Sequence, residues 1–245
     1  MPIKNVFSTP LVILLLVTSV GWGQDNPVKW FRDARPCWAA EQQVTPNVTV
    51  HLKAEPLVRA GASVSFRITA SSAYRFFLNG AFVGHGPSIA AHGFFRVDEY
   101  DLTGRTIDGP NSLAVEVAGY NIDNYFIPNQ ASFVQAELLV DGQVAAATQQ
   151  KKIPNAFRMY RSLQRIAEVP KLSFQRTHLE AYRLTPDFSA WRSGSVIPGE
   201  PVEVEETDRK NLLPRNVRYP DYSMREARRH PSGGIFSFQI GRAHV

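Results

Sequence analysis

From residue 63 onward, apolar and polar side chains alternate with a period of two. In 63–68, Val64, Phe66 and Ile68 fall on one face and Ser63, Ser65 and Arg67 on the other. In 112–118, Leu113, Val115 and Val117 alternate with Ala114, Glu116 and Ala118. In 133–140, Val134, Ala136, Leu138 and Val140 alternate with Gln135 and Glu137. An extended chain points successive side chains to opposite faces, so each stretch predicts a strand with one face buried. Further strands are expected near 48–53, 94–99, 157–162 and 178–183. The core is expected to include Phe66, Ile68, Phe77, Val115, Val117, Val134 and Leu138.

Turn chemistry separates these stretches. Asn79-Gly80 lies between 74–78 and 81–84, and Asp141-Gly142 between Val140 and 143–147. Both dipeptides tolerate the positive φ that two-residue hairpins need. Gly86-Pro87 marks a further structural turn, and Asp108-Gly109-Pro110-Asn111 another. Short strands, frequent turns and no long amphipathic helix before residue 185 predict an all-β protein, a β-sandwich. Thr185-Pro186 and Ile197-Pro198-Gly199 interrupt the pattern. The sandwich is therefore assigned to 28–185, and 186–239 to a linker and the start of a second β domain.

Composition narrows the function classes. Apolar residues make up 44% of the 245, enough to offset ordering entropy, so disorder of the whole chain is excluded. The single cysteine, Cys37, excludes a disulfide framework and a thiolate zinc site. It reads as a small buried apolar residue. Lys and Arg number 27 against 22 Asp and Glu, a net charge of +5 with no long basic block. The one cluster, Arg225, Arg228, Arg229 and His230, fits a solvated surface, and no nucleic-acid partner is expected. The histidines lack metal-ligand spacing, so neither a metal nor another cofactor is expected. No Gly-x-Ser-x-Gly elbow or glycine-rich phosphate cradle occurs.

Lys4 precedes an apolar run at 11–17, followed by small residues and then Gln24-Asp25-Asn26. This order is that of a secretory signal, expected to be removed after Gly23. The run is shorter than the roughly 20 residues a spanning helix needs, so no stable membrane span is expected once the signal is gone. A secreted or periplasmic location follows. The last residues, 240–245, read IGRAHV, which is similar to a translated sequencing adapter. On that likeness the reading frame is expected to be cut short.

Glycoside hydrolysis usually needs two carboxylates flanking the scissile bond. Asp98, Glu99, Asp101, Asp123, Glu203, Glu205 and Glu206 are available, but turn-like or solvated contexts give none a catalytic role. The loops are more informative. Gly84-His85-Gly86-Pro87-Ser88 leads to His92-Gly93-Phe94-Phe95, and Gly119-Tyr120-Asn121-Ile122-Asp123-Asn124-Tyr125 follows a strong strand. Sugar recognition needs flat aromatic faces and hydroxyl-binding polar groups. His85, His92, Tyr120, Asn121 and Tyr125 are therefore the candidate carbohydrate-binding residues.

The stretch YRFFLNGAFVGHGP at 74–87 resembles the NG–GP hairpin of galactose-binding-like jelly rolls in large glycoside hydrolases. His92 to Leu102 (HGFFRVDEYDL) is similar to the "G-F-x-R-x-D-x-Y-D-L" strand of α-L-rhamnosidase-type enzymes. Asn111-Ser112-Leu113-Ala114-Val115-Glu116-Val117 resembles their "N-x-x-A-V-x-V". Ser173-Phe174-Gln175-Arg176 with Glu180-Ala181-Tyr182-Arg183 resembles "S-x-QR-x-x-x-E-x-Y". Leu213-Pro214-Arg215 with Tyr219-Pro220 is similar to the entry into the next β domain. The resemblance covers about 28–225. It implies a galactose-binding-like jelly roll at the front of an exported α-L-rhamnosidase-like hydrolase acting on rhamnose-containing plant or microbial glycans. That family's catalytic glutamates sit on an α/α barrel for which this sequence has no counterpart, so no catalytic residue carries over. The expected partners are a carbohydrate and the missing C-terminal catalytic domain. Two other readings remain: a free-standing carbohydrate-binding module and an exported structural or adhesion domain.

Overall fold

The computed structural model describes residues 29–125, 128–149, 156–194 and 196–223, with the backbone of 228–229 and 236–237. The expected signal at 1–23 and the adapter-like 240–245 lie outside the described residues, as do Arg225 and His230 of the basic cluster. Among the described residues, no helix is long and apolar enough to cross a membrane.

The chain is an all-β jelly-roll sandwich. Its strands are β1 (Cys37–Ala39), β2 (Val48–Ala54), β3 (Leu57–Val58), β4 (Val64–Ala70), β5 (Ala73–Leu78), β6 (Ala81–Gly86), β7 (Phe94–Asp101), β8 (Gly109–Pro110) and β9 (Leu113–Gly119). They continue with β10 (Val134–Val140), β11 (Gln143–Ala147), β12 (Arg158–Ser162), β13 (Gly199–Pro201), β14 (Val204–Glu206), β15 (Asn211–Pro214), β16 (Arg228–Arg229) and β17 (Phe236–Ser237). One sheet runs β14-β1-β10-β4-β7-β15, with β11 also on β10; the other runs β13-β12-β2-β9-β5-β6. The pairings are antiparallel except β15 on β7.

The period-two faces meet between the sheets. Val64, Phe66 and Ile68 of β4 and Val134, Ala136 and Leu138 of β10 pack against Leu113, Val115 and Val117 of β9. Phe66 and Phe76 bring their ring centroids to 4.7 Å. Phe77 belongs to a second buried cluster. It is buried, but on the outer face of its sheet with Ala114 and Trp191, while Phe76 enters the sandwich. Two adjacent phenylalanines leave the face ambiguous, and the flanking Tyr74 and Leu78 settle it. Cys37 is fully buried, and burial pushes its thiol up to about 12, with Glu206 adding to the rise.

Asn79 and Gly80 take φ of 51° and 83°, and Asp141 and Gly142 take 47° and 73°. Two successive positive φ values match the twist of the flanking strands, as both dipeptides predict. Gly86 is the last residue of β6, opposite Tyr74, and is joined to Pro87 by a cis peptide bond.

Two expectations past residue 160 change. Residues 178–183 form no strand; His178 bridges Lys171 and Tyr182 bridges Arg165 at isolated points. This segment lies over the sheet through side chains, with Arg75 reaching both Glu180 and Tyr182. Residues after Thr185-Pro186 also rejoin the sandwich: β13 extends one sheet, and β14 and β15 are the edges of the other. Pro198 immediately precedes β13 and Pro201 ends it, at a sheet margin where proline breaks no central ladder.

Candidate functional site

Polar side chains collect on the outer face of the sheet containing β2, β9 and β5. Strand register sets them in one row: Tyr160 faces His51, His51 faces Glu116, Glu116 faces Arg75, and Arg75 faces His85. The next rung carries Ala118 opposite Ala73. Two small side chains beside a row of long ones leave a hollow. A cavity of about 280 Å³ opens there, lined by Ala73, Tyr74, Arg75, Phe82, His85, Glu116, Ala118, Tyr120, Arg165 and Glu180.

One end of the row is closed by the 3₁₀ turn Ala190–Ser193. Trp191 is buried and stacks on His51 with centroids 4.1 Å apart. His51 Nδ1 donates to the Pro198 carbonyl over 3.1 Å, and its Nε2 lies 3.4 Å from Glu116 Oε2. Glu116 Oε1 accepts from Arg75 Nε at 3.1 Å and lies 2.9 Å from Arg75 Nη2. Glu180 Oε2 accepts from the same Nη2 at 3.1 Å. Burial alone would raise the Glu116 carboxyl. The hydrogen bond and charge of His51, with Arg75 and Arg165, outweigh it and hold the group at about 2.

This depression predicts an acid transition. A carboxyl held at about 2 rather than 4.5 contributes stability that is complete above the unfolded-state value. That contribution falls as pH drops from about 4.5 towards 2, by about 3 kcal/mol in all. Urea unfolding at stepped pH should show this slope in the native protein. Glu116→Gln should lack that part of it. Parallel curves for the two proteins would refute the assignment.

The expected carbohydrate-binding residues separate in space. Tyr120 lines this cavity and is largely buried, with the Arg165 guanidinium 5.4 Å from its ring centroid. His85 is exposed and lines both this cavity and a neighbour of about 230 Å³, which His92 also lines. Asn121 lies in neither; its Nδ2 donates to Gln43 O at 2.9 Å and Ser132 Oγ at 2.6 Å, tying two loops together. Tyr125 is exposed and also lines neither cavity.

Five of the carboxylates considered for hydrolysis are bonded to other groups. Glu99 pairs with Arg67 at 2.9 Å, Asp101 accepts from Thr103 N, and Asp123 accepts from Asn129 N. Glu205 accepts from Gln43 Nε2 at 2.6 Å. Asp98 is fully buried and bonded to Arg215 and Tyr74.

Sequence reading missed His51, Arg75, Glu116, Arg165 and Glu180. The available signal was Glu116, a charge set between alanines on an otherwise apolar strand. Arg165 had none, because its place over the sheet depends on the path of the chain after β12.

The fold has counterparts among solved structures. The chain is similar to the GH78 family rhamnosidase of Bacillus sp. GL1, with a TM-score of 0.66 and 22% identity over 77% of this chain and 20% of that one. It is also similar to the α-L-rhamnosidase of Aspergillus terreus, with a TM-score of 0.54 and 17% identity over 82% of this chain and 25% of that one. At these identities the likeness is one of fold. The chain spans a fifth to a quarter of those enzymes' length. No family model and no curated protein sequence matches it.

Proposed function

We propose that this chain is the non-catalytic β region of an exported α-L-rhamnosidase-like glycoside hydrolase, and that its outer-face cavity holds a carbohydrate residue. The cavity carries the binding reading. Its alanine floor admits a ring, Phe82 and Tyr120 supply aromatic surface, and Arg75, Glu180 and His85 supply groups for hydroxyls. A concave site with a few convergent polar groups suits a small ligand. The fold shared with two rhamnosidases supports the link to that family. The two carboxylates that do converge on the cavity, Glu116 and Glu180, are both tied to Arg75, which fits a binding role. Export rests on the apolar run at 11–17 and the small residues before Gln24.

The test is calorimetric titration of the purified chain with L-rhamnose and plant and microbial oligosaccharides, beside a chromogenic α-L-rhamnoside assay. Saturable binding without release of the chromophore is expected. His85→Ala, at an exposed position, should weaken binding about fivefold without lowering thermal stability. Absence of binding to every glycan would overturn the carbohydrate reading. Turnover by the purified chain would overturn the non-catalytic one. Mass spectrometry of exported protein should find an N-terminus at Gln24.

A further inference from the structure

Arg165 is 4% exposed and lines the outer-face cavity. Its Nη1 donates to Thr49 Oγ1 over 3.1 Å. Its Nε and Nη2 are buried, and neither has a hydrogen-bond partner among the described residues. These two N–H groups form one edge of the guanidinium, with the parallel geometry that receives both oxygens of a carboxylate. Arg67 uses the same edge on a single carboxylate oxygen, Glu99 Oε1, with Nε at 3.0 Å and Nη2 at 2.9 Å.

Glu116 acts on Arg165 through its charge, but neither cavity carboxylate hydrogen-bonds to it. Glu116 faces Arg75 and His51, and Glu180 faces Arg75 and Tyr182. A buried guanidinium with an unfilled edge is costly, because desolvated N–H groups lose water without a replacement. The unfilled edge therefore has the shape and charge of a missing carboxylate. A doubly charged phosphate suits the site less, since Glu116 and Glu180 share the cavity.

Resting on the carbohydrate reading above, we infer that the outer-face cavity binds a uronic acid residue with its ring over Ala73 and Ala118, the Arg165 guanidinium turning its Nε–Nη2 edge out to meet the carboxylate. A neutral sugar would leave the edge unfilled, so the site discriminates by charge as well as by shape.

Calorimetric titration of the full chain at pH 7 tests this with D-glucuronate, D-galacturonate, their uncharged methyl esters, L-rhamnose, acetate and sulfate. At least one uronate should bind ten times or more tightly than its own ester, and more tightly than acetate or sulfate. Arg165→Lys keeps the charge and loses the edge. It should remove about tenfold of uronate affinity and reduce the ratio of acid to ester affinity, with thermal unfolding reporting its fold. The acid-against-ester comparison uses the unaltered protein and so stands even if that variant fails to fold. Equal affinity for acid and ester would overturn the inference. So would binding of neutral sugars alone, which leaves the carbohydrate reading intact. Acetate or sulfate binding as tightly as the uronates would reduce the site to an anion site and overturn the sugar assignment. Failure of every sugar to bind would overturn both readings.

Discussion

Val117→Asp is expected to remove cooperative folding at neutral pH. Val117 is fully buried in β9, paired with Val50 on one side and Tyr74 on the other, and it faces the opposing sheet. An aspartate there has no cationic partner in the apolar core. It must either stay charged in a poor dielectric or take up a proton. Protonation at pH 7 of a group that ordinarily titrates near 3.9 costs about 4 kcal/mol. Loss of the valine's burial adds roughly 2 kcal/mol. About 6 kcal/mol is comparable with the whole stability of an ordinary domain. Circular dichroism should show no cooperative thermal transition at pH 7, with partial recovery near pH 4, where protonation costs little. A wild-type-like transition would mean that β9 presents its other face to the core.

The parts of the fold that were legible are those fixed by local periodicity and turn geometry. Val64, Phe66 and Ile68, like Leu113, Val115 and Val117, declare their face because a single-residue slip would invert it. Asn79-Gly80 and Asp141-Gly142 declare hairpins because few other residue pairs accept those φ values. Phe76-Phe77 carried no such signal, since both residues are apolar and both faces of β5 are covered. The edge strands were illegible for a different reason. β13, β14 and β15 are only three or four residues long, too short for a period, and their partners lie far away in sequence. β14 joins residues about 170 positions earlier, as Cys37 pairs with Glu206.

The site divides along the same line. Tyr120 and His85 were legible as polar-aromatic groups in loops and at strand ends, where ligand contacts concentrate. Asn121 showed the same composition but serves the backbone: its φ of 44° and its amide bonds to Gln43 and Ser132 hold loops in place. Composition cannot separate these roles, because a hydroxyl-binding amide and a loop-tying amide are the same group. The polar row was hidden because it exists only across strands. His51, Glu116 and Arg75 stand up to 65 positions apart, and strand register alone makes them neighbours.

Asp98→Ala is expected to cost about 3–5 kcal/mol, because it strips the partner from a partly buried cation and from buried hydroxyls together. Asp98 is fully buried in β7. Its Oδ1 accepts from Arg215 Nη1 at 2.8 Å, and its Oδ2 accepts from the Tyr74 hydroxyl, which lies 2.9 Å from that of Tyr100. Room for this cluster comes from Gly86, where an added Cβ would fall 2.0 Å from Asp98 Oδ2. Arg215 follows β15, stacks 4.2 Å from the Tyr219 ring centroid, and so ties the segment beyond the last sheet edge to the sandwich. Burial raises the Asp98 carboxyl above its ordinary value, although bonds from Tyr74 and Arg215 and the Arg215 charge pull the other way. Arg215→Ala removes two of those opposing effects and should raise it further. A carboxyl raised in the folded state binds protons more readily folded than unfolded. Its ionisation therefore costs stability as pH rises from the unfolded-state value through the folded one. Arg215→Ala should accordingly lose more stability, relative to wild type, at pH 7 than at pH 4. Asp98→Ala has no carboxyl to titrate and should lack this contribution. Urea unfolding of both variants at the two pH values measures the difference. An Arg215→Ala penalty independent of pH would show that the guanidinium contributes packing there and does not hold the Asp98 charge.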